Sequence, residues 1–239
     1  MPDVDTGILI GTAAGLAALH TLIGVDHSVP FIALKHARGW SLRKTLVITG
    51  LCGLGHVSSS VAIGAIGVAL GIGLHRLTWL EAARGELAGW LLIAFGLAYA
   101  VHSLTRAMRG SSHAHLHAHR DGTVHAHAHD HHGEHLHPHD AAGRRATPWV
   151  LFVVFTLGPC ETLIPLMMAP AASADPATLS LVIAVFGAVT LVTMLALVTA
   201  GCVGIELARA SSHRVLRHSD ALAGLAIAAS GAAVMIFGV

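Results

Sequence analysis

Six stretches of the chain are apolar for long enough to cross a membrane as helices. A helix needs about 20 residues to span roughly 30 Å of hydrocarbon. Only 11% of the residues are charged, against about 25% in a typical soluble domain, so the chain cannot cover a large surface that faces water. The predicted spans cover residues 6–34, 45–74, 87–105, 148–172, 177–207 and 220–239.

These spans predict an all-α fold, a polytopic membrane protein in which about six transmembrane helices form two inverted three-helix halves. Residues 1–109 would form the first half, 110–146 a histidine-rich cytoplasmic loop, and 147–239 the second half. The chain begins with acidic residues, whereas a secretory signal begins with basic ones, so we expect the first span to be retained.

Several classes of protein do not fit the sequence. A net charge of +1 indicates no nucleic-acid partner. The sequence contains no phosphate-cradling glycine loop and no nucleophilic triad, so we expect neither an enzyme nor an ATP-driven pump. The three cysteines are too few and too scattered for a disulfide framework. The oligomeric state is left open.

Basic residues are distributed unevenly between the predicted loops. Of the 14 lysines and arginines, only Arg76 and Arg84 lie in even-numbered loops. Loops rich in Lys and Arg face the cytoplasm. The pattern predicts a multi-pass protein of the cytoplasmic (inner) membrane, with the odd loops inside and both termini outside.

The two halves share a faint repeat. Residues 24–30 (GVDHSVP) and 158–165 (GPCETLIP) each place a glycine before a polar pair, and a proline six or seven residues after that glycine. With three helices per half, equivalent segments would enter from opposite sides of the membrane. That is typical of inverted-repeat transporters, whose sites lie where helices are broken. A chance match of such short strings is the alternative.

A few ionisable groups lie deep inside the predicted spans, where they are costly and usually mark a pathway or a site. Imidazole suits nickel, cobalt, zinc and copper, whereas hard cations prefer oxygen ligands. The alternative is that each buried histidine merely bonds a neighbouring carbonyl. The predicted metal ligands are His20, Asp26, His27, His56, Cys160 and Glu161.

The spacing of the first two histidines requires a helix break if they bind one ion. His20 and His27 are seven residues apart, which is about two turns or roughly 10 Å on a continuous helix. Gly24 lies between them and Pro30 follows. A break here would shorten the gap and place Asp26 in a cavity. Without a break, the histidines would mark successive stations along a path.

The loop between the halves holds twelve of the chain's 20 histidines, many at alternating positions. Low-complexity histidine tracts bind transition metals. The segment is too poor in hydrophobic residues to fold alone, so we expect a disordered collector or buffer with weak sites. The alternative is a proton-buffering or inert loop. The loop metal ligands would be His113, His115, His117, His119, His125, His127, His129, His131, His132, His135, His137 and His139.

These motifs resemble the nickel/cobalt transporter superfamily. His20 followed by the Asp26–His27 pair resembles its signature helix, and Gly55–His56 with nearby serines resembles its second-helix motif. The histidine-rich loop resembles the nickel/cobalt efflux-like branch. The segment beginning at Gly158 resembles a motif of urease-accessory and sulfite-exporter-like relatives. The importers usually have one residue fewer between the His and the Asp-His pair, and eight spans, so the departures favour the efflux-like branch.

The resulting prediction is a secondary transporter of a divalent transition metal, leaning to efflux. The resemblance implies Ni²⁺ or Co²⁺ as transported substrate, with no permanently bound cofactor. The expected partners are the ion, membrane lipid and a metallochaperone or metalloenzyme. One alternative is an accessory membrane protein that delivers nickel to a metalloenzyme without transport. A weaker alternative is a thiol-disulfide redox carrier built around Cys160, whose equivalent in the first half is Asp26.

Overall fold

The helices of the chain fall into long and short classes. The computed structural model describes residues 6–108, 113–118, 124–129, 141–160, 162–173, 175–209 and 219–237. A short 3₁₀ turn, Val25–His27, lies between the first two helices. The helices are α1 (Thr6–Ile23), α2 (Val29–Arg38), α3 (Leu42–Ala69), α4 (Leu74–Met108), α5 (Ala141–Leu157), α6 (Leu163–Ala172), α7 (Pro176–Arg209) and α8 (Ser219–Phe237), and the strands are β1 (His113–Ala118) and β2 (Val124–His129).

Five of these helices, α1, α3, α4, α7 and α8, are long and apolar enough to cross a membrane. Their most apolar windows have mean hydropathies between 1.6 and 2.7. Large apolar side chains such as Ile8, Leu51 and Val192 lie exposed on the outside, as expected for a surface that faces lipid. The predicted class, an all-helical polytopic membrane protein, is confirmed.

The first crossing is one helix interrupted near its middle. Ala17 of α1 shares a core cluster with Phe186 of α7. Further along both elements, Lys35 of α2 pairs with Glu206 near the end of α7. Because the contacts advance in the same direction on both sides, α1 and α2 follow one path past α7 as a broken crossing, while α2 and the 3₁₀ turn pack mainly against α8.

The second broken crossing consists of α5 and α6, which pack along α3. Gly55 of α3 lies against Phe152 of α5, and Gly64 lies against Met167 of α6. The interruption follows Gly158 because Pro159 lacks an N–H and restricts the residue before it. In the described part of the chain, α5 and α6 thus add one broken apolar stretch to the five helices that are long enough to cross a membrane.

The two halves pack in a reciprocal way. The broken crossing of the first half packs on α7 and α8 of the other half, and the broken crossing of the second half packs on α3 and α4. The third crossings, α4 and α8, pack antiparallel to each other: Gly89 lies against Gly231, and Gly96 against Gly224. In lipid, such glycines let helix backbones approach closely. This exchange of partners agrees with two inverted three-helix halves.

The third crossing begins earlier than the sequence indicated. Hydropathy predicted its start at residue 87, whereas α4 begins at Leu74. The difference arises because Glu81 is not solvated: its side chain is 0% exposed and is held by partners on other elements. When only the sequence is considered, Glu81 and Arg84, two opposite charges three residues apart, look like part of a solvated helix face.

The histidine-rich segment contains an antiparallel ribbon of β1 and β2, where the sequence analysis expected disorder. The pairs His113–His129, His115–His127 and His117–His125 lie opposite each other. Alternation of histidine with alanine or leucine has the period of a strand, which favours this pairing. The helix α5 also begins at Ala141, inside the segment predicted as loop.

Candidate metal centre

The break between α1 and α2 brings His20 and His27 together. After α1 ends, the Gly24 N–H donates to the His20 carbonyl at 2.9 Å, and Gly24 itself is extended (φ −66°, ψ 94°). The His27 N–H then donates to the Gly24 carbonyl at 3.1 Å, which closes the 3₁₀ turn. The ring centroids of His20 and His27 lie 4.9 Å apart, about half the separation expected on a continuous helix.

Gly24 is required by the position of the His27 ring. A Cβ atom at residue 24 would lie 2.4 Å from His27 Nδ1 and 3.0 Å from Asp26 Oδ1. Real Cβ atoms do not approach so closely, so any side chain at this position would displace the imidazole or the carboxylate. The glycine that breaks the helix therefore also makes room for the functional groups.

A third imidazole joins from α3. The ring centroid of His56 lies 5.1 Å from that of His27 and 6.1 Å from that of His20. One ring nitrogen of each histidine lies within 4.8 Å of the others. His27 and His56 are each 2% exposed, and His20 is half-buried. We call these three residues the His cluster.

The hydrogen bonds of the His cluster leave one nitrogen of each ring without a partner. His27 Nδ1 lies 3.0 Å from Asp26 Oδ1, and His56 Nδ1 lies 3.3 Å from the Phe155 carbonyl oxygen. A carbonyl or carboxylate oxygen can only accept, so these Nδ1 atoms carry the protons and each neutral ring keeps its lone pair on Nε2. The buried Nε2 atoms of all three histidines have no hydrogen-bond partner among the described residues.

This arrangement fits a borderline divalent metal. Ligating histidines usually donate their other ring nitrogen to a carboxylate or carbonyl, as His27 and His56 do. Three imidazoles leave positions free for water or further ligands, as in open metal sites. Among the residues that the structure describes, Asp26 is the carboxylate at the cluster, so about half of the charge of a divalent ion would stay uncompensated. Such a site favours exchangeable binding.

The other predicted ligands have different positions. Asp26 bonds to His27 and is not a member of the group whose ligand atoms converge. Cys160 is buried in an apolar cluster with Ala13, Ala17 and Val57, and its backbone N–H donates to Glu81. All three cysteines are free, which leaves Cys160 without a disulfide partner. Glu161 lies outside the described residues.

The predicted loop ligands divide into two sets. Six lie on the ribbon, in the register given above, and the structure describes their backbone. The remaining six, His119, His131, His132, His135, His137 and His139, lie outside the described residues.

The sequence analysis missed a charged pair next to the second break. Glu81 and Arg84 of α4 form an ion pair, and both bond to the backbone that joins α5 to α6. Arg84 was assigned to a loop because hydropathy began the third span after it. The available signal was the buried serine pair Ser59–Ser60, whose hydroxyls both bond to Arg84.

The fold and the His cluster together define a class: a polytopic helical membrane protein in which three imidazoles, two of them buried and one half-buried, converge at a helix break. No protein-family model matches the chain, and no curated protein or solved structure is detectably similar to it. The resemblance to the nickel/cobalt transporter superfamily therefore stays a prediction.

Proposed function

We propose that this protein is a secondary transporter of a divalent transition metal ion, Ni²⁺ or Co²⁺, and that the His cluster is the binding station on its path. The observation that carries the proposal is the convergence of three imidazoles, whose buried Nε2 atoms have no other partner among the described residues. Buried polar atoms are normally hydrogen-bonded, and exceptions call for an explanation. A metal ion has empty orbitals and can accept a lone pair from each of the three rings.

The location of the His cluster favours transport over static binding. The cluster lies at the interruption of a membrane-crossing helix, where inverted-repeat transporters hold their substrates. It also joins the two halves, because His56 bonds to Phe155 of the second half. A movement of one half against the other would therefore change the ligand geometry and could release the ion.

The chemistry of the His cluster favours nickel and cobalt over magnesium or calcium. Imidazole nitrogen binds the borderline metals well, whereas Mg²⁺ and Ca²⁺ require oxygen ligands. Among the borderline metals, the choice of Ni²⁺ or Co²⁺ follows the motif resemblance.

Export is the direction we propose, across the cytoplasmic membrane. The excess of basic residues in the odd-numbered loops supports a cytoplasmic side for the histidine-rich segment. There its many weak sites would collect metal beside the entrance of the path.

The test is metal flux into proteoliposomes. The purified chain is reconstituted and offered Ni²⁺, Co²⁺, Zn²⁺ or Mg²⁺ under an imposed pH gradient. We expect saturable Ni²⁺ or Co²⁺ flux that falls more than about 100-fold in His27→Ala, because losing a ligand exceeds the 10–100-fold cost of losing an outer partner. His102→Ala is the matched control, since this histidine is exposed on α4. Both variants should keep the size-exclusion profile of the native chain.

Two outcomes would contradict the proposal. Full flux in His27→Ala would remove the His cluster from the path. Retained metal with no flux under any gradient would favour an accessory protein that stores or delivers metal. Vesicles sorted by orientation then test the direction, since export requires uptake from the side that carries the histidine-rich segment.

A further inference from the structure

Two buried charges on α4 hold both ends of the second helix break. The Arg84 guanidinium donates to the Thr156 carbonyl at 2.8 Å and to the Gly158 carbonyl at 3.3 Å, where α5 ends. Glu81 accepts from the Cys160 N–H at 2.9 Å, just before α6 begins. A helix carries partial negative charge at its C-terminus and partial positive charge at its N-terminus. Each charge therefore faces the helix end of opposite sign.

The same pair contacts the segment of α3 that carries His56. Arg84 Nη2 donates to Ser59 Oγ at 2.7 Å, and Ser59 Oγ in turn donates to the His56 carbonyl at 2.8 Å. Glu81 accepts from Ser60 Oγ at 3.0 Å. The pair thus fixes α3 immediately after His56.

The two sets of contacts meet at the His56 ring. Phe155, whose carbonyl bonds to His56 Nδ1 at 3.3 Å, directly precedes Thr156, whose carbonyl accepts from Arg84. The break also lies against the imidazole, since a Cβ atom on Gly158 would be 3.2 Å from His56 Nδ1. Any shift of the α5 end would move the acceptor that keeps the proton on Nδ1.

We propose that the Glu81–Arg84 pair is the positioning element of His56: it holds the Phe155 carbonyl where it accepts the Nδ1–H, so that the buried Nε2 keeps its lone pair free. Neither charge binds the ion. The consequence for metal affinity rests on the proposed function, whereas the effect on the His56 tautomer does not.

The chain offers a control for the loss of an ion pair between helices. Lys35 of α2 pairs with Glu206 of α7; the Lys35 side chain is buried and that of Glu206 is exposed. Lys35 Nζ donates a hydrogen bond to Glu206 Oε1, and this bond involves no residue of the His cluster. Neutralising it removes an ion pair between elements without touching His56 or Phe155.

The experiment compares the full chain with two variants in lipid nanodiscs. Glu81→Gln with Arg84→Gln removes both charges, so that neither is left buried alone. Arg84→Lys keeps the charge and loses the planar fork that reaches several acceptors at once. Lys35→Gln with Glu206→Gln is the control. Long-range ¹H–¹⁵N spectra report the tautomer of metal-free His56, whose signals are assigned by their loss in His56→Gln, and Co²⁺ titration gives the affinity.

In the double variant we expect His56 to become a mixture of tautomers and Co²⁺ affinity to fall about 10- to 100-fold, the usual effect of losing an outer partner. Arg84→Lys should give an intermediate loss, and the control should stay within about twofold. A folded double variant with the native tautomer and native affinity would overturn the proposal. If the double variant does not fold, Arg84→Lys decides in the same way. Absence of Co²⁺ binding by the native chain would contradict the proposed function. The His56 tautomer measured in the double variant would still test this inference.

Discussion

At Gly24, the absence of a methyl group determines where the His27 ring can lie. Gly24→Ala places a Cβ atom 2.4 Å from His27 Nδ1, so the ring must leave Asp26 or the turn must open. Since the Asp26 bond orients the ligand, we expect Co²⁺ affinity to fall about 10- to 100-fold. Co²⁺ titration of the purified protein, followed by its visible absorption, measures this.

The control for that substitution lies on the same crossing. A Cβ atom on Gly15 meets nothing within 4 Å, so Gly15→Ala adds a methyl group without moving a neighbour. It should leave Co²⁺ affinity unchanged and help α1 slightly, since alanine favours helix over glycine. Equal affinities in Gly24→Ala and Gly15→Ala would show that the ring position does not depend on Gly24.

The sequence identified the ligand residues better than their roles. His20, His27 and His56 could be selected because imidazoles are rare and costly inside apolar spans. Their convergence could not be derived, because it depends on the angle of the break and on how α3 packs beside it. Asp26 stays a predicted metal ligand; the structure shows its carboxylate bonded to His27, a contact that depends on the local backbone geometry and could not be derived from the sequence.

At the scale of elements, the packing of α4 against α8 depends on glycines that admit no side chain. A Cβ atom on Gly96 would lie 2.4 Å from the Ala228 nitrogen and 2.5 Å from the Gly224 carbonyl oxygen. These are backbone atoms, so the helices themselves must separate. We expect Gly96→Ala to lower the free energy of unfolding by about 1–3 kcal/mol, as for other overpacked sites.

Unfolding in lipid-detergent micelles, followed by circular dichroism, measures this loss of stability. Gly204→Ala on α7 is the comparison, because nothing lies within 4 Å of its added Cβ atom. A Gly96→Ala protein as stable as Gly204→Ala would mean that α4 and α8 are not in such close contact.

The broken crossings could be predicted in part, whereas the depth of α4 could not. Gly24 and the Gly158–Pro159 pair interrupt helices for local reasons that can be read from sequence. The burial of Glu81 has no local cause. It depends on the free backbone groups of another broken helix, which supply partners for a charge that would otherwise be too costly in lipid.

At the scale of the whole molecule, the reciprocal packing of the halves places the His cluster inside the membrane part. The ligands come from α1, the 3₁₀ turn and α3, and the acceptor that orients His56 comes from α5. The histidine-rich segment joins the halves in the chain, between Met108 and Ala141, and contributes no residue to the cluster in the part that the structure describes. Among the described residues, the three imidazoles of the His cluster thus form a group of their own, apart in sequence from the tract with many histidines.

This separation predicts that the tract affects the capture of metal and not its passage. Replacing residues 112–140 with a glycine-serine linker of equal length removes the tract's histidines and leaves both halves joined. We expect the maximal rate of Ni²⁺ or Co²⁺ flux to stay within about twofold, because the His cluster is intact. The apparent KM should rise, since a tethered set of weak sites raises the local concentration of ion at the entrance. Proteoliposome flux over a range of metal concentrations separates the two parameters. A variant with no flux at any concentration would mean that ions must pass through the tract, whereas an unchanged KM would leave it with no role in transport.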